Sequence, residues 1–419
     1  MSAVMSWYAK DASDDRPTVV MIVPEGSTNS RGGGGQRTAL FFDALRGIGC
    51  VRVLIVGSTS GPIPATFFSG AESVIGIQNQ NFSIGKTSGL KRRLSKILDL
   101  LNPSRIFRVD NSLKANIESA IADLGTPIIV FRYAKTFSRS GLYESKGDRL
   151  IMVDVDDRDD KKLFTQFATR IGPFLTEWLL GPALLTRVKR ELSKSLSRAD
   201  QIWYANPNDV LTNLGVASHV APNVPYGRVD PSTLSDAGRA KDVLFVGQFD
   251  HNPNKRGMVW FMRRCWKDIS RVHPEAHLRI VGMGDWKSLK PVFPNLERVD
   301  YVGSVDNLGA EYARALVVVA PIFEGGGSQI KVIEACSFAR PIVCTSFAAS
   351  GFGSELGNHL STADTASEMI DACKSFLMDA EAATSKGNAL REAQYTHFSR
   401  ETALSQIRAN ILERLEKLV

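Results

Sequence analysis

The sequence predicts an α/β chain of two domains, each built round a parallel sheet, and three observations carry that prediction. First, the apolar run "TVVMIVP" (18–24) is followed by a glycine-rich polar loop, a stretch at helical spacing and a second apolar run, "VRVLIVG" (51–57). Strand, loop, helix, strand is a βαβ unit, and it implies parallel strands. Second, the polar segment 226–241 interrupts the periodic pattern, which then restarts with "DVLFVGQF". Third, 419 residues suit two domains of ordinary size, at roughly 150 residues each.

The elements follow in order. After 51–57, the short β-branched runs at 126–133, 149–157, 199–205 and 218–224 read as buried strands of the first sheet. Proline, glycine and Ser/Thr crowd 226–241, which reads as a linker. In the second half, "DVLFVGQF", "AHLRIVGMG", "VDYVGSV", "LVVVAPI" and "PIVCTS" read as strands. Helices are expected at "GMVWFMRRCWKDIS", "LGAEYARA", "SQIKVIEACSFA" and in the closing stretch from Arg400. In such sheets ligands bind beyond the C-terminal strand ends, so the two glycine-rich loops are expected to face one cleft.

Composition narrows the function classes. The apolar fraction of 43% and charged fraction of 23% are those of globular proteins. Five cysteines with no CxxC pair argue against a disulfide framework or structural zinc and fit a reducing compartment. No basic start with an apolar core opens the chain, so a signal peptide is not expected. The most hydrophobic long segment, "IGPFLTEWLLGPALLTRV", carries Glu177, Pro173 and Pro182 and falls short of the ~20 apolar residues that spanning needs. Charge is asymmetric: residues 1–225 hold 28 Lys+Arg against 21 Asp+Glu, and 226–419 hold 23 of each. The excess of +7 therefore lies in the first half, which suits an anionic partner there or simply a solvated basic surface.

The stretch "FEGGGSQIKVIEA", Phe323 to Ala335, carries most of the chemistry. Its glycines fall between a strand end and a helix expected to start at Ser328. A helix N-terminus offers unpaired N–H groups and partial positive charge, and glycines let a phosphate approach them. On that helix Ile330 and Ile333 are expected to face the core, with Lys331 and Glu334 sharing the other face. Lys331 then suits a phosphate and Glu334 suits sugar hydroxyls. The plainer alternative is a flexible turn followed by a surface Lys–Glu pair.

The ordered set "DVLFVGQFDHNPNKRGMVWFMRRCW…AHLRIVGMG…VDYVGSVDNLGAEYARALVVVAPIFEGGGSQIKVIEACSFARPIVCTS" resembles the donor-binding half of glycosyltransferase family 4 and its GT-B relatives. The resemblance covers residues 242–353 well and the rest more loosely. It implies the GT-B fold, two Rossmann-like domains whose parallel sheets face a central cleft. Residues 1–225 would bind the acceptor, 226–241 link, 242–395 bind a nucleotide-sugar donor, and 396–419 form a closing helix packing back on the first domain. By the same resemblance Glu334 meets the ribose hydroxyls, and Gly326, Gly327 and Ser328 approach the diphosphate and donor sugar. Arg256 neutralises the diphosphate, Lys331 supplements it, and Gly247, Gln248, Gly282 and Met283 lie at strand ends beside the donor. Three positions depart from the family pattern. Gly326 stands where many members carry a second glutamate, with Glu324 two residues earlier. Gln248 replaces an arginine, and Ala339–Arg340 replaces a glycine turn. No metal or other cofactor is implied, and retention of anomeric configuration is.

In the first half, Gly34 and Gly35 are the candidates for close approach to an acceptor, with Arg37 aiding an anionic one. "VDVDDRDDKK" holds a DxD pair, Asp154 and Asp156, which in another transferase fold would hold Mg²⁺ or Mn²⁺. Its distance from the donor-like motifs favours Asp156 and Asp157 contacting acceptor hydroxyls or pairing with Lys161 and Lys162. "SIGKTS" (83–88) lacks the earlier glycine of a P-loop, that place being Gln80. Residues 89–107 form an expected basic amphipathic helix suited to anionic membrane or, as plainly, to its own sheet. Nucleic acid is not expected, since no aromatics interleave with the basic run. The six histidines show no metal-ligand spacing.

These readings converge on a cytoplasmic transferase at the inner face of the plasma membrane. It would move a sugar from a nucleotide diphosphate to a saccharide or lipid-linked saccharide in bacterial surface-polysaccharide assembly. The alternatives are an epimerase or hydrolase of the same fold, or a non-catalytic binding subunit.

Overall fold

The computed structural model describes residues 16–28, 33–57, 67–78, 102, 105–125, 127–156, 158–161, 181–225, 240–325 and 329–417. They fall into two compact units, Met1–Ala221 with Ala403–Val419, and Pro222–Thr402. Of the expectations above, the basic helix is almost wholly outside the described residues, as are the 83–88 motif, Asp157, Lys162, most of the linker, and Gly326, Gly327 and Ser328.

Unit 1 is built on a seven-stranded parallel sheet in the order β3-β2-β1-β4-β5-β6-β7. Its strands are β1 (Thr18–Pro24), β2 (Cys50–Gly57), β3 (Ser73–Gln78), β4 (Ile128–Arg132), β5 (Leu150–Asp156), β6 (Gln201–Tyr204) and β7 (Ala217–Val220). Strands buried on both faces read as continuous apolar runs, which is why β1, β4 and β5 are legible in sequence. Strand β3 lies at the sheet edge, half exposed, and its mixed "SVIGIQ" pattern gives no such signal.

Four helices are described between these strands: α1 (Gly33–Arg46), α2 (Asn111–Ala120), α3 (Ala134–Ser140) and α4 (Gly181–Leu196). Leu113 and Ile117 of α2, Phe137 of α3, and Leu192 and Leu196 of α4 pack with Ile22, Leu54, Phe131, Val153 and Ile202 in one apolar cluster. Helix α1 begins earlier than the apolar run from Thr38 suggests, so Gly34 and Gly35 sit in its first turn rather than in a loop.

Unit 2 carries a six-stranded parallel sheet, β10-β9-β8-β11-β12-β13. The strands are β8 (Asp242–Val246), β9 (Leu278–Val281), β10 (Val299–Gly303), β11 (Ala315–Ala320), β12 (Ile342–Cys344) and the two-residue β13 (Ser361–Thr362). Helix α5 (Asn252–Phe261) runs through a π-helical turn at Met262–Trp266 into α6 (Lys267–Val272). Then come α7 (Leu308–Arg314), α8 (Ile330–Ser337), α9 (Ala366–Met378), α10 (Ala380–Phe398) and α11 (Arg400–Glu416). A capping box, Thr365 with Glu368, opens α9, and Asp379 caps α10 by accepting from Ala382 N–H.

Most of α11 belongs to unit 1. Ala403, Ile407, Ile411 and Leu415, spaced by four, are buried along one stripe. Arg408 donates from Nε to the Ala44 carbonyl (3.1 Å) and from Nη2 to that of Asp43 (2.9 Å), near the C-terminus of α1. Gln201 Nε2 donates to the Asn410 carbonyl at 3.0 Å.

Candidate functional site

In unit 2 the chain leaves β8 toward β9 and β10 on one side, then returns to lay β11 and β12 on the other. That reversal places the ends of β8 and β11 side by side, where open parallel sheets bind ligands. After β8 come Gly247 and Gln248; after β9, Gly282 and Met283; after β11, Phe323 and Glu324; and then helix α8.

Gly247 and Gly282 have a packing reason of their own. Gly282 has φ +139°, and a Cβ there would run into the Gly247 carbonyl. The bonds Gly247 N–H to Val281 (2.9 Å) and Phe249 N–H to Met283 (2.9 Å) extend the β8–β9 contact past the sheet. Trp286 Nε1 donates to the Gly247 carbonyl at 3.0 Å. Gln248, in the place of the family's arginine, accepts from Asn254 Nδ2 through its main-chain carbonyl at 3.1 Å.

Helix α5 approaches the end of β11 at Gly257, where a Cβ would strike the Pro321 carbonyl. This close contact seats the next ridge of α5 on the β11 loop. Arg256 Nη1 donates to both carboxylate oxygens of Glu324, at 2.7 and 2.9 Å. One turn on, the rings of Trp260 and Phe323 meet edge to face at 4.8 Å.

Helix α8 starts at Ile330, two residues later than expected, with Gln329 as its extended N-cap residue. Ile333 is fully buried, as the spacing implied, while Ile330 is only half-buried. Lys331 is not the surface residue a Lys–Glu pair suggests: it is 8% exposed, and Nζ donates to Gln329 Oε1 at 3.1 Å. Burial lowers its pKa to about 8, against the opposing pull of Glu334. Glu334 Oε2 accepts from the hydroxyl of Tyr312 at 3.0 Å, and burial raises its pKa to about 7 although Tyr312 and Lys331 both oppose the shift. Tyr312, on α7, is fully buried and stacks on Phe338 with ring centroids 4.5 Å apart. Sequence reading gave no role to Tyr312 or Gln329, although both lie inside the quoted motifs, because only folding brings Tyr312 of α7 against Glu334 of α8.

Arg340, at the turn where the family has glycine, donates from Nε to the Tyr312 carbonyl (2.5 Å) and from Nη2 to that of Ala313 (3.2 Å). It thereby satisfies the C-terminus of α7. Ala339 before it takes φ +52°.

The corresponding reversal in unit 1 lies between β1 and β4. There the expected acceptor residues form a buried ion network. Arg37 is 1% exposed and bonds Asp154 from Nε (3.0 and 2.9 Å) and Nη2 (2.6 Å), while its Nη1 bonds the Ala221 carbonyl. Arg132, fully buried, bonds Asp154 from Nη1, Asp156 from Nη2 at 3.1 Å, Thr38 Oγ1 at 3.1 Å and the Gly34 carbonyl at 3.2 Å. Arg37 is thus committed to the sheet rather than presented to an anionic acceptor. Asp156 is 5% exposed with φ +58°, at an irregularity in the β5–β6 pairing. The DxD carboxylates have two guanidinium partners, and among the described residues no group of three His, Cys, Asp or Glu is arranged to hold a metal ion. Farther along, Arg158 pairs with Asp160 at 2.5 Å and Lys161 pairs with Asp209. Arg132 went unremarked in sequence. Its signal was an arginine inside an otherwise apolar strand, which needs a buried carboxylate on a neighbouring strand.

Comparison with known proteins agrees with this geometry. Residues 240–379 match the family model described as Glycosyl transferases group 1. Sucrose-phosphate synthase from Thermosynechococcus elongatus is similar over 96% of this chain and 100% of its own, at 16% identity and TM-score 0.69. The Anabaena protein HepE in complex with UDP is similar over 94% of this chain and 100% of its own, at 13% identity and TM-score 0.64. HepE has also been solved in complex with UDP-glucose. In sequence, an uncharacterized 44.6 kDa protein in the cps region of Klebsiella pneumoniae is 25% identical over 126 residues. That alignment takes in 28% of this chain and spans about a third, 32%, of the relative. Residues 240–379 are thus similar to group 1 glycosyl transferases, and the chain as a whole shares the two-sheet α/β fold of these solved structures.

Proposed function

We propose that the chain transfers a sugar from a nucleotide-diphosphate donor to a saccharide or lipid-linked saccharide, with retention, in bacterial surface-polysaccharide assembly. The observation that carries this reading is the half-buried Glu334, held by Tyr312 beside the buried Lys331 on the helix that follows β11. A carboxylate so placed is suited to accept from two neighbouring hydroxyls, as a ribose offers. In this reading Glu334 takes the ribose, while Gly247, Gln248, Gly282 and Met283 border the donor. Gly326, Gly327 and Ser328 approach its diphosphate. Breaking the sugar–phosphate bond builds negative charge on the leaving diphosphate, and Arg256 and Lys331 offset it in place as fixed cations.

In unit 1, Gly34, Gly35 and Asp156 are the proposed acceptor contacts, with Arg37 supporting Asp154 beneath them. No resident metal is proposed. The acceptor setting is supported by the cps-region relative, and contact with the cytoplasmic face of the plasma membrane by the basic stretch 89–107. Among the described residues no helix is long and apolar enough to cross a membrane.

The test is incubation with a panel of nucleotide sugars, with and without membrane extract, for wild type and Glu334→Ala. Transfer to a membrane-borne saccharide that Glu334→Ala loses by at least about tenfold is expected, the loss of one charged hydrogen-bond partner. Sugar release that needs no acceptor would replace the transferase with a hydrolase. Equal turnover by the variant would overturn the site.

A further inference from the structure

We infer that Glu324 is a positioning residue for Arg256, holding one of its nitrogens so that the rest of the guanidinium faces an incoming diphosphate. This rests on the reading of unit 2 as a nucleotide-sugar site. It gives a role to Glu324, a candidate donor-binding residue two places before the position where many family members carry a sugar-contacting glutamate.

The geometry separates the two roles. Both Glu324 oxygens accept from a single nitrogen, Arg256 Nη1, at 2.7 and 2.9 Å. This grip engages both oxygens and turns the carboxylate toward α5. Among the described residues Nε and Nη2 of Arg256 have no hydrogen-bond acceptor, and the side chain is 44% exposed against 24% for Glu324. A guanidinium has five N–H donors in a rigid fork, so gripping one nitrogen leaves three donors pointing in a fixed direction.

The grip is itself located by backbone contacts. Gly257 lets α5 touch the Pro321 carbonyl, and the Trp260–Phe323 ring contact fixes the same ridge one turn further along. Arg256 and Trp260, four apart on α5, thus seat on the consecutive residues Phe323 and Glu324. An arginine free to sample its rotamers would have to be ordered when the diphosphate arrives, and Glu324 removes that cost beforehand. The opposite role for the same contact is competition, in which Glu324 neutralises Arg256 and must be displaced.

The experiment measures affinity for UDP, GDP, ADP and dTDP, and for the matching nucleosides, by calorimetry on the full chain. The variants are Glu324→Ala, Glu324→Gln, Arg256→Ala and Arg256→Ala with Glu324→Ala. Positioning predicts that Glu324→Ala weakens the bound diphosphate roughly three- to tenfold, the cost of ordering one long side chain. Glu324→Gln, which keeps an acceptor oxygen, should fall nearer wild type. Nucleoside affinity should not change, and Glu324→Ala should have no further effect once Arg256 is alanine. Tighter diphosphate binding by both Glu324 variants would overturn positioning in favour of competition. An effect that persists without Arg256, or no effect at all, would also overturn it. If no nucleoside diphosphate binds the wild type, the reading of the site fails, and this inference with it. Thermal melts of each variant confirm that the partly exposed pair is not holding the fold.

Discussion

At the scale of single residues, the chemistry lies in groups whose charge is costly where they sit. Glu334 has a folded pKa raised from 4.5 to about 7, and Lys331 one lowered from 10.5 to about 8. For Glu334 the folded state holds the proton more tightly than the unfolded chain. Its contribution to stability is therefore fully present below pH 4.5 and lost as pH rises toward 7. Lys331 has the opposite sign: stability is lost as pH falls below about 10.5 through 8. Ligand binding follows the ionised carboxylate, so nucleotide affinity should drop as pH falls from 8 to 6, and Glu334→Gln should flatten that profile. A wild-type profile already flat over that window would remove Glu334 from the binding surface.

The buried network of unit 1 is the second residue-scale case. Arg132→Met takes from Asp156 the guanidinium that bonds it at 3.1 Å, leaving the longer Arg37 pair at 3.9 Å, and takes from Asp154 one of its two guanidiniums. Breaking a buried pair from one side costs about 3–5 kcal/mol, which urea denaturation would read directly. A loss under about 1 kcal/mol would mean that water already reaches the cluster. In the sequence, Asp154 and Asp156 were visible as a DxD motif. Their partners were not, because Arg132 lies 22 residues before Asp154 and Arg37 lies 117 before it. Pattern reading over short windows does not join them; the parallel register that pairs Arg132 with Asp154 does.

At the scale of elements, strands with both faces buried announce themselves and helix starts do not. The apolar runs of β1, β4, β5, β8 and β11 fix their own positions, since a parallel sheet covered on both faces tolerates little else. The edge strand β3, half exposed, carried no such run. Helices α9 and α10 left a weaker mark: α9 buries Met369, Ile370 and Leu377 behind its Thr365–Glu368 capping box, whereas α10 buries Leu390 and Phe398 among small and polar residues. The α5–β11 contact tests how far an element depends on one atom. Gly257→Ala places a Cβ against the Pro321 carbonyl, and backbone cannot rotate away as a side chain can. Helix α5 must shift, so a loss of about 1–3 kcal/mol in thermal unfolding is expected, with weaker diphosphate binding as Arg256 leaves Glu324. Unchanged melting would mean that the helix has slack at that point.

For the molecule as a whole, the tie from the C-terminus into unit 1 is the feature with the largest consequence. Helix α11 contributes Ile407, Ile411 and Leu415, all nearly or fully buried, and Arg408 bonds two carbonyls near the end of α1. Ending the chain at Thr402 exposes the surface those residues cover, at a cost on the order of 5 kcal/mol. Limited proteolysis should then cut unit 1 first, and survival of unit 1 would show that α11 is dispensable.

The sequence by itself determined the class of fold, the order of most strands, and the place of the glycine-rich stretch between β11 and α8. Those are properties of local periodicity and of residues close together in the chain. Tertiary structure alone decided that Arg37 is buried, that Glu324 is held by Arg256, and that Tyr312 supports Glu334. The reason is physical: a charged side chain takes its role from the low-dielectric surroundings and partners that folding assembles, and those partners lie far away along the chain.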